Sequence, residues 1–180
     1  MKVLGDKLEI KKILYSEEQI TTRIKEIGAQ ISKDYECEEL VVIGVIKGAL
    51  YFFAEITQAI DLPIMIDMIG FGNIPDTTSK TGVVRITKDI DIEGKHVLIV
   101  EDVVRTGLTT AYLLSRLEER EPATINICTL LLNENRLLLG LPLKYVGFSI
   151  ADDWLIGYGL DKGEIGRNLP YIATIEKNQH

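Results

Sequence analysis

Apolar and polar positions along the chain follow two different periods. Over SEEQITTRIKEIGAQISKDY, from Ser16, the residues Ile20, Ile24, Ile27 and Ile31 recur at spacings of four, three and four, which places them on one stripe of a helix. Ser16 followed three positions later by Gln19 is a capping-box signature, so the helix begins there. The next apolar stretch is of another kind. Leu40–Ile46 (LVVIGVI) is continuous and rich in β-branched residues, as a strand covered on both faces should be, and it stops abruptly at Lys47-Gly48.

The alternation continues. Ala49–Ile60 reads as a helix and Ile64–Met68 as a strand, followed by Gly70–Gly82 (GFGNIPDTTSKTG), too polar and too long for a routine connection and therefore a candidate lid. After a short strand at Val83–Thr87 and a turn at Asp91-Ile92-Glu93-Gly94, the buried strand Val97–Val100 runs directly into Glu101-Asp102. A helix starts near Thr109 and continues through Ala111–Arg120, and strands follow at Thr124–Leu132, Tyr145–Ile150 and Tyr171–Ile175. Strands alternating with helices predict an α/β fold, a mostly parallel twisted sheet with helices on both faces. No internal repeat or linker interrupts the pattern, and 180 residues suit one domain, 1–180, with room for a small hood.

Composition narrows the functions. With 46% hydrophobic residues the chain can bury a sizeable core. Its net charge of -7 and the lack of a basic tract argue against nucleic-acid binding, which rests on clustered positive charge. An acidic protein that binds a polyanion needs a local device, such as a divalent metal or the N–H groups of a helix start. Cys37 and Cys128 are far apart with no C-x-x-C, and Cys128 lies in the apolar run Ile125–Leu132, as a core thiol would. The first residues lack the apolar segment of a signal peptide and no apolar run could span a bilayer, so the expectation is a cytoplasmic protein with no membrane contact.

Ligands of open parallel sheets bind beyond the carboxyl ends of the strands, which directs attention to Val97–Thr110, VLIVEDVVRTGLTT. A buried strand delivers two adjacent carboxylates, and a loop containing Thr106 and Gly107 then opens a helix. Gly107 permits close backbone approach, Thr106 and Thr109 bring hydroxyls, and the helix start brings N–H groups; together they describe a phosphate cradle. The acids at its mouth could hold ribose hydroxyls or hydrated Mg²⁺, or simply cap the helix in solvent. Neither G-x-x-x-x-G-K-[ST] nor G-x-G-x-x-G occurs.

The same segment resembles the phosphoribosyl-pyrophosphate (PRPP) motif of type I phosphoribosyltransferases. IGVIKGAL (Ile43–Leu50), VGFSIADDWLIGYGLD (Val146–Asp161) and RNLPYI (Arg167–Ile172) resemble, in order, motifs of the hypoxanthine-guanine branch, and the likeness spans roughly residues 10 to 175. It implies the type I fold with its hood, and roles for named residues. Lys47 and Gly48 match a pyrophosphate loop that presents a backbone N–H. Glu101 and Asp102 match the acids on the ribose hydroxyls and their metal, and Thr106, Gly107, Leu108 and Thr109 match the 5′-phosphate cradle, with Val104 and Arg105 beside it. Asp161 matches the carboxylate of a second Mg²⁺ site, and Arg167 a guanidinium that grips pyrophosphate. Trp154, alone in the chain and by itself suited to a core, matches the aromatic that stacks on the purine, and Leu155 would offer backbone groups to the purine edge. His96, at a strand start, is expected to be solvated.

Three positions depart from the branch's pattern. Arg105 stands where it carries the Asp that handles the purine N7 proton, and a guanidinium has no acceptor lone pair. Asn133 replaces the Lys that reads the 6-oxo group, and Gly70-Phe71 replaces the lid's Ser-Tyr. The resemblance implies a Mg²⁺-dependent transferase that converts hypoxanthine, and guanine as an alternative substrate, with PRPP into IMP or GMP and pyrophosphate in purine salvage. It further implies slowed turnover, with Lys47, Arg167 and the altered Arg105 as catalytic positions, and a homo-oligomer, dimer or tetramer. A PRPP- or nucleotide-binding regulator with little turnover is the alternative, and transfer to another base stays open.

Overall fold

The computed structural model describes residues 3–4, 8–72, 83–86, 90–151 and 154–176. Helix α1 (Glu17–Asp34) is capped as its sequence requires, for Gln19 N–H donates to Ser16 Oγ at 3.3 Å and Ser16 N–H donates to Gln19 Oε1 at 2.9 Å. The stripe of Ile20, Ile24, Ile27 and Ile31 is buried throughout, each side chain contributing about 2 kcal/mol of apolar transfer.

The main sheet comprises β3 (Leu40–Ile46), β4 (Ile64–Gly72), β5 (Val83–Ile86), β6 (His96–Val104), β7 (Thr124–Leu132) and β8 (Leu143–Ser149), in the order β5-β4-β3-β6-β7-β8. All neighbours are parallel except β5, which runs antiparallel to β4 at the edge. Because side chains alternate along a strand, each strand feeds two cores. Leu40, Val42, Leu98, Val100, Cys128 and Leu130 pack with α1 and α2 (Leu50–Ala59), whereas Val41, Ile43, Val97, Ile99 and Ile127 pack with Leu113, Leu114 and Leu117 of α3 (Leu108–Glu118). The helices thus cover both faces, and Cys128 is the buried thiol anticipated.

A second sheet forms the hood. Its strands β1 (Val3–Leu4), β2 (Leu8–Tyr15), β9 (Leu155–Ile156) and β10 (Ile172–Ile175) lie in the order β1-β2-β10-β9, all antiparallel. Leu155, Tyr158, Leu160 and Ile172 join the core beneath α1 and α2, which fixes the hood to the sheet. The strand at β2 was not among the expected elements, because its pairing partner lies at the far end of the chain.

Several boundaries also moved. The strand holding the two acids extends to Val104, so Glu101 and Asp102 belong to β6 itself. Gly70 and Phe71 belong to β4, which continues to Gly72; the remaining segment assigned to a lid, 73–82, lies outside the described residues. His96 is tied down: its Nε2 lies 3.3 Å from Glu38 and its Nδ1 2.7 Å from Thr124 Oγ1, with the ring partly buried.

Candidate active site

The carboxyl ends of β3, β6 and β7, three adjacent strands, bring the expected groups to one rim. Lys47 and Gly48 follow β3, after a cis peptide between Ile46 and Lys47. Gly48 packs so closely on the Asp102 carboxylate that a Cβ at this position would collide with it. The Gly48 carbonyl in turn lies against Gly159 of the hood, whose own Cβ would overlap it. The Lys47-Gly48 loop, the acidic strand end and the hood therefore meet at Gly48.

Glu101 is buried, and its Oε2 accepts a hydrogen bond from Thr110 Oγ1 at 3.1 Å. Its other oxygen, Oε1, is buried with no hydrogen-bond partner. Burial pushes the Glu101 carboxyl up to about 7, the Thr110 bond opposing the rise and the Asp102 charge adding to it. The Asp102 carboxyl is likewise held above its usual value by burial, against backbone hydrogen bonds and the Arg167 charge. Being consecutive on β6, the two carboxyls leave the strand end toward opposite faces, Glu101 to Thr110 of α3 and Asp102 to Gly48, and each desolvated carboxyl can attract a cation or a sugar hydroxyl.

Past Val104, the chain turns through Arg105 and Thr106 into Gly107, whose φ of 78° is the left-handed geometry glycine adopts freely. Helix α3 begins at Leu108 with a glycine N-cap and no acid in its first turn, Leu108 N–H making only a long 3.5 Å contact to Thr106 Oγ1, so its dipole favours an anion there. Thr106 is half-buried and Thr109 exposed at that start. Arg105 and Asn133, the two altered base-side positions, lie side by side: Val104 pairs with Leu132, and Asn133 N–H donates to Val104 C=O at 2.9 Å.

From the hood come the remaining groups. Arg167 pairs with Asp161 at 2.7 Å and with Glu164 at 3.3 Å, and donates to the Gly159 carbonyl at 2.8 Å. Glu164 also receives Lys47 Nζ at 3.2 Å, so one carboxylate bridges the two cations expected to hold pyrophosphate. Lys47, then Arg167, hold the Glu164 carboxyl below the ordinary range. Trp154 is 47% exposed, a platform rather than a core residue, with Lys162 Nζ 4.9 Å from its ring centroid. Its carbonyl accepts from Ile175 N–H at 3.0 Å. Leu155, opposite Thr174, is then the non-hydrogen-bonded position of the ladder, and its backbone groups point off the edge strand β9.

The chain matches the phosphoribosyl transferase domain family over residues 12–162. It is 41% identical over 176 residues to a hypoxanthine-guanine phosphoribosyltransferase of Mycobacterium tuberculosis, covering 93% of this chain and 87% of that protein. The protein of the same name from Staphylococcus aureus is 40% identical over 170 residues, covering 93% of this chain and 95% of its own. A crystal structure of the Bacillus anthracis hypoxanthine-guanine phosphoribosyltransferase, with HEPES in its active site, superposes with a TM-score of 0.84 at 40% identity, over 94% of this chain and 99% of that one. The chain belongs to the hypoxanthine-guanine phosphoribosyltransferase family. It is a phosphoribosyltransferase, and relatives named as enzymes favour transfer over the regulatory alternative.

Membership makes Mg²⁺ the implied metal, and the donors suit it. Among the described residues no three carboxylate, His or Cys groups converge as a protein-only cage. Mg²⁺ takes few protein ligands, one or two carboxylates with water and substrate oxygens, and Asp102, Asp161 and the unpartnered Glu101 Oε1 offer that chemistry.

Two groups of the candidate site carry little signal in the sequence. Thr110 is 2% exposed and pins Glu101 from the first turn of α3. Glu164 lies between Asp161 and Arg167, and the only sequence signal for it is that position.

Proposed function

We propose that this protein transfers the 5-phosphoribosyl group of PRPP to hypoxanthine, and to guanine as well, forming IMP or GMP and releasing pyrophosphate. The observation that carries this reading is the convergence of Lys47, Gly48, Asp102, Asp161 and Arg167 at the end of the strand that leads into α3. The 5′-phosphate would sit on the Thr106–Thr109 backbone, and Glu101 and Asp102 would face the ribose hydroxyls. Trp154 would stack on the base, with Leu155 offering backbone groups and Asn133 an amide to its edge.

Transfer makes the bond from purine N9 to the anomeric carbon and breaks that carbon's bond to the pyrophosphate oxygen, while the base gives up one proton. Lys47 and Arg167 stabilise the charge that develops on the leaving oxygen. Mg²⁺, bound by Asp161 and by the ribose-side acids, would neutralise further pyrophosphate charge. Arg105 cannot accept the proton, so water takes it and the step is slower, by about 10²–10⁴-fold if the whole benefit of a general base is lost. A cytoplasmic homo-oligomer completes the reading.

A panel of bases incubated with PRPP and Mg²⁺, with nucleotide and pyrophosphate both quantified, tests it. IMP formed in step with pyrophosphate is the expected result. Nucleotide from a different base, with none from hypoxanthine or guanine, would replace the substrate assignment.

A further inference from the structure

Glu164 occupies a position that substrate must contest. The turn Lys162-Gly163-Glu164-Ile165 is closed in both directions, Lys162 N–H donating to Ile165 C=O at 3.1 Å and Ile165 N–H to Lys162 C=O at 3.3 Å. Its two central residues both have positive φ, 62° and 66°, the signature of a type I′ turn. Glu164 N–H donates to Asp161 Oδ2 at 2.7 Å, which fixes the turn against the hood. The side chain then reaches back, with Oε2 3.2 Å from Lys47 Nζ and 3.3 Å from the Arg167 guanidinium.

Of the two carboxylates on Arg167, Asp161 is the enclosed one, its side chain 25% exposed at 2.7 Å, whereas the Glu164 side chain is 64% exposed and at the longer distance. Glu164 is thus the partner that can leave. A pyrophosphate group approaching Lys47 and Arg167 meets a negative charge already placed between them, and like charges cannot share the pair without cost. We propose that Glu164 is a displaceable counter-anion, which holds Lys47 and Arg167 together in the empty site, yields to pyrophosphate on binding, and re-forms its pairs as pyrophosphate departs. This rests on the reading of Lys47 and Arg167 as the pyrophosphate cations.

The test is calorimetry on the full chain and on Glu164→Gln, with magnesium pyrophosphate and, separately, ribose 5-phosphate. Gln keeps the shape of this exposed side chain and removes its charge. The expected result is pyrophosphate affinity tightened about two- to fivefold, the scale of exposed ion pairs, with ribose 5-phosphate affinity unchanged. Faster pyrophosphate dissociation from the wild-type protein than from the variant, by stopped flow, is expected as well. Unchanged or weaker pyrophosphate binding in the variant, with ribose 5-phosphate still bound, overturns the counter-anion role alone. If neither protein binds either ligand, the proposed function falls with it.

Discussion

Replacing Glu101 by Gln should make the protein more stable at neutral pH while disabling the sugar site proposed for it. The carboxyl is 6% exposed, one of its oxygens has no partner, and its pKa rises from 4.5 to about 7, chiefly through burial. A carboxyl whose folded pKa lies above its unfolded value binds its proton more tightly in the folded state. The folded protein therefore loses stability as pH rises from about 4.5 to about 7, and the loss is complete above that. The gap of about two and a half pH units, at about 1.4 kcal/mol per unit, amounts to about 3 kcal/mol. Gln is isosteric, can still accept from Thr110, and never ionises. Urea denaturation in magnesium-free buffer should show the variant stabilised by about 3 kcal/mol at pH 8 and by only about 1 kcal/mol at pH 5. The same variant should bind PRPP poorly, the usual conflict between stability and a functional site. Equal stability of the two proteins at pH 8, or a difference that does not change with pH, would refute the reasoning.

Arg105→Asp should raise kcat with hypoxanthine by about 10²-fold or more, because a carboxylate can take the base's proton; a steady-state assay that finds the rate unchanged or lower refutes the proposal that Arg105 slows turnover. Gly48→Ala drives a Cβ into the Asp102 carboxylate, and the forced backbone shift, about 1–3 kcal/mol, should weaken PRPP binding at least tenfold by calorimetry while the folded spectrum by circular dichroism is kept. Ser16→Ala removes the cap of α1 and should cost about 1 kcal/mol in denaturant melts, with activity intact.

Much of the molecule was written into local pattern. The isoleucine stripe and capping box of α1, the continuous strands at β3 and β7, and the strand that carries Glu101 and Asp102 are all short-range signals, since a helix or buried strand declares itself within about ten residues. The acids, glycine and helix start proposed as the phosphate cradle were legible for the same reason: they are contiguous. Tertiary structure alone decided what depends on residues remote in sequence. Strand β2 exists because β10 pairs with it from the other end of the chain. Gly48 is needed because Asp102 and Gly159 close on it, and Glu101 is forced upward in pKa because the sheet and α3 together exclude water from it. Glu164 reads as a surface charge until the hood folds over and sets it between Lys47 and Arg167, since an ion pair is defined by distance in space and not by order along the chain.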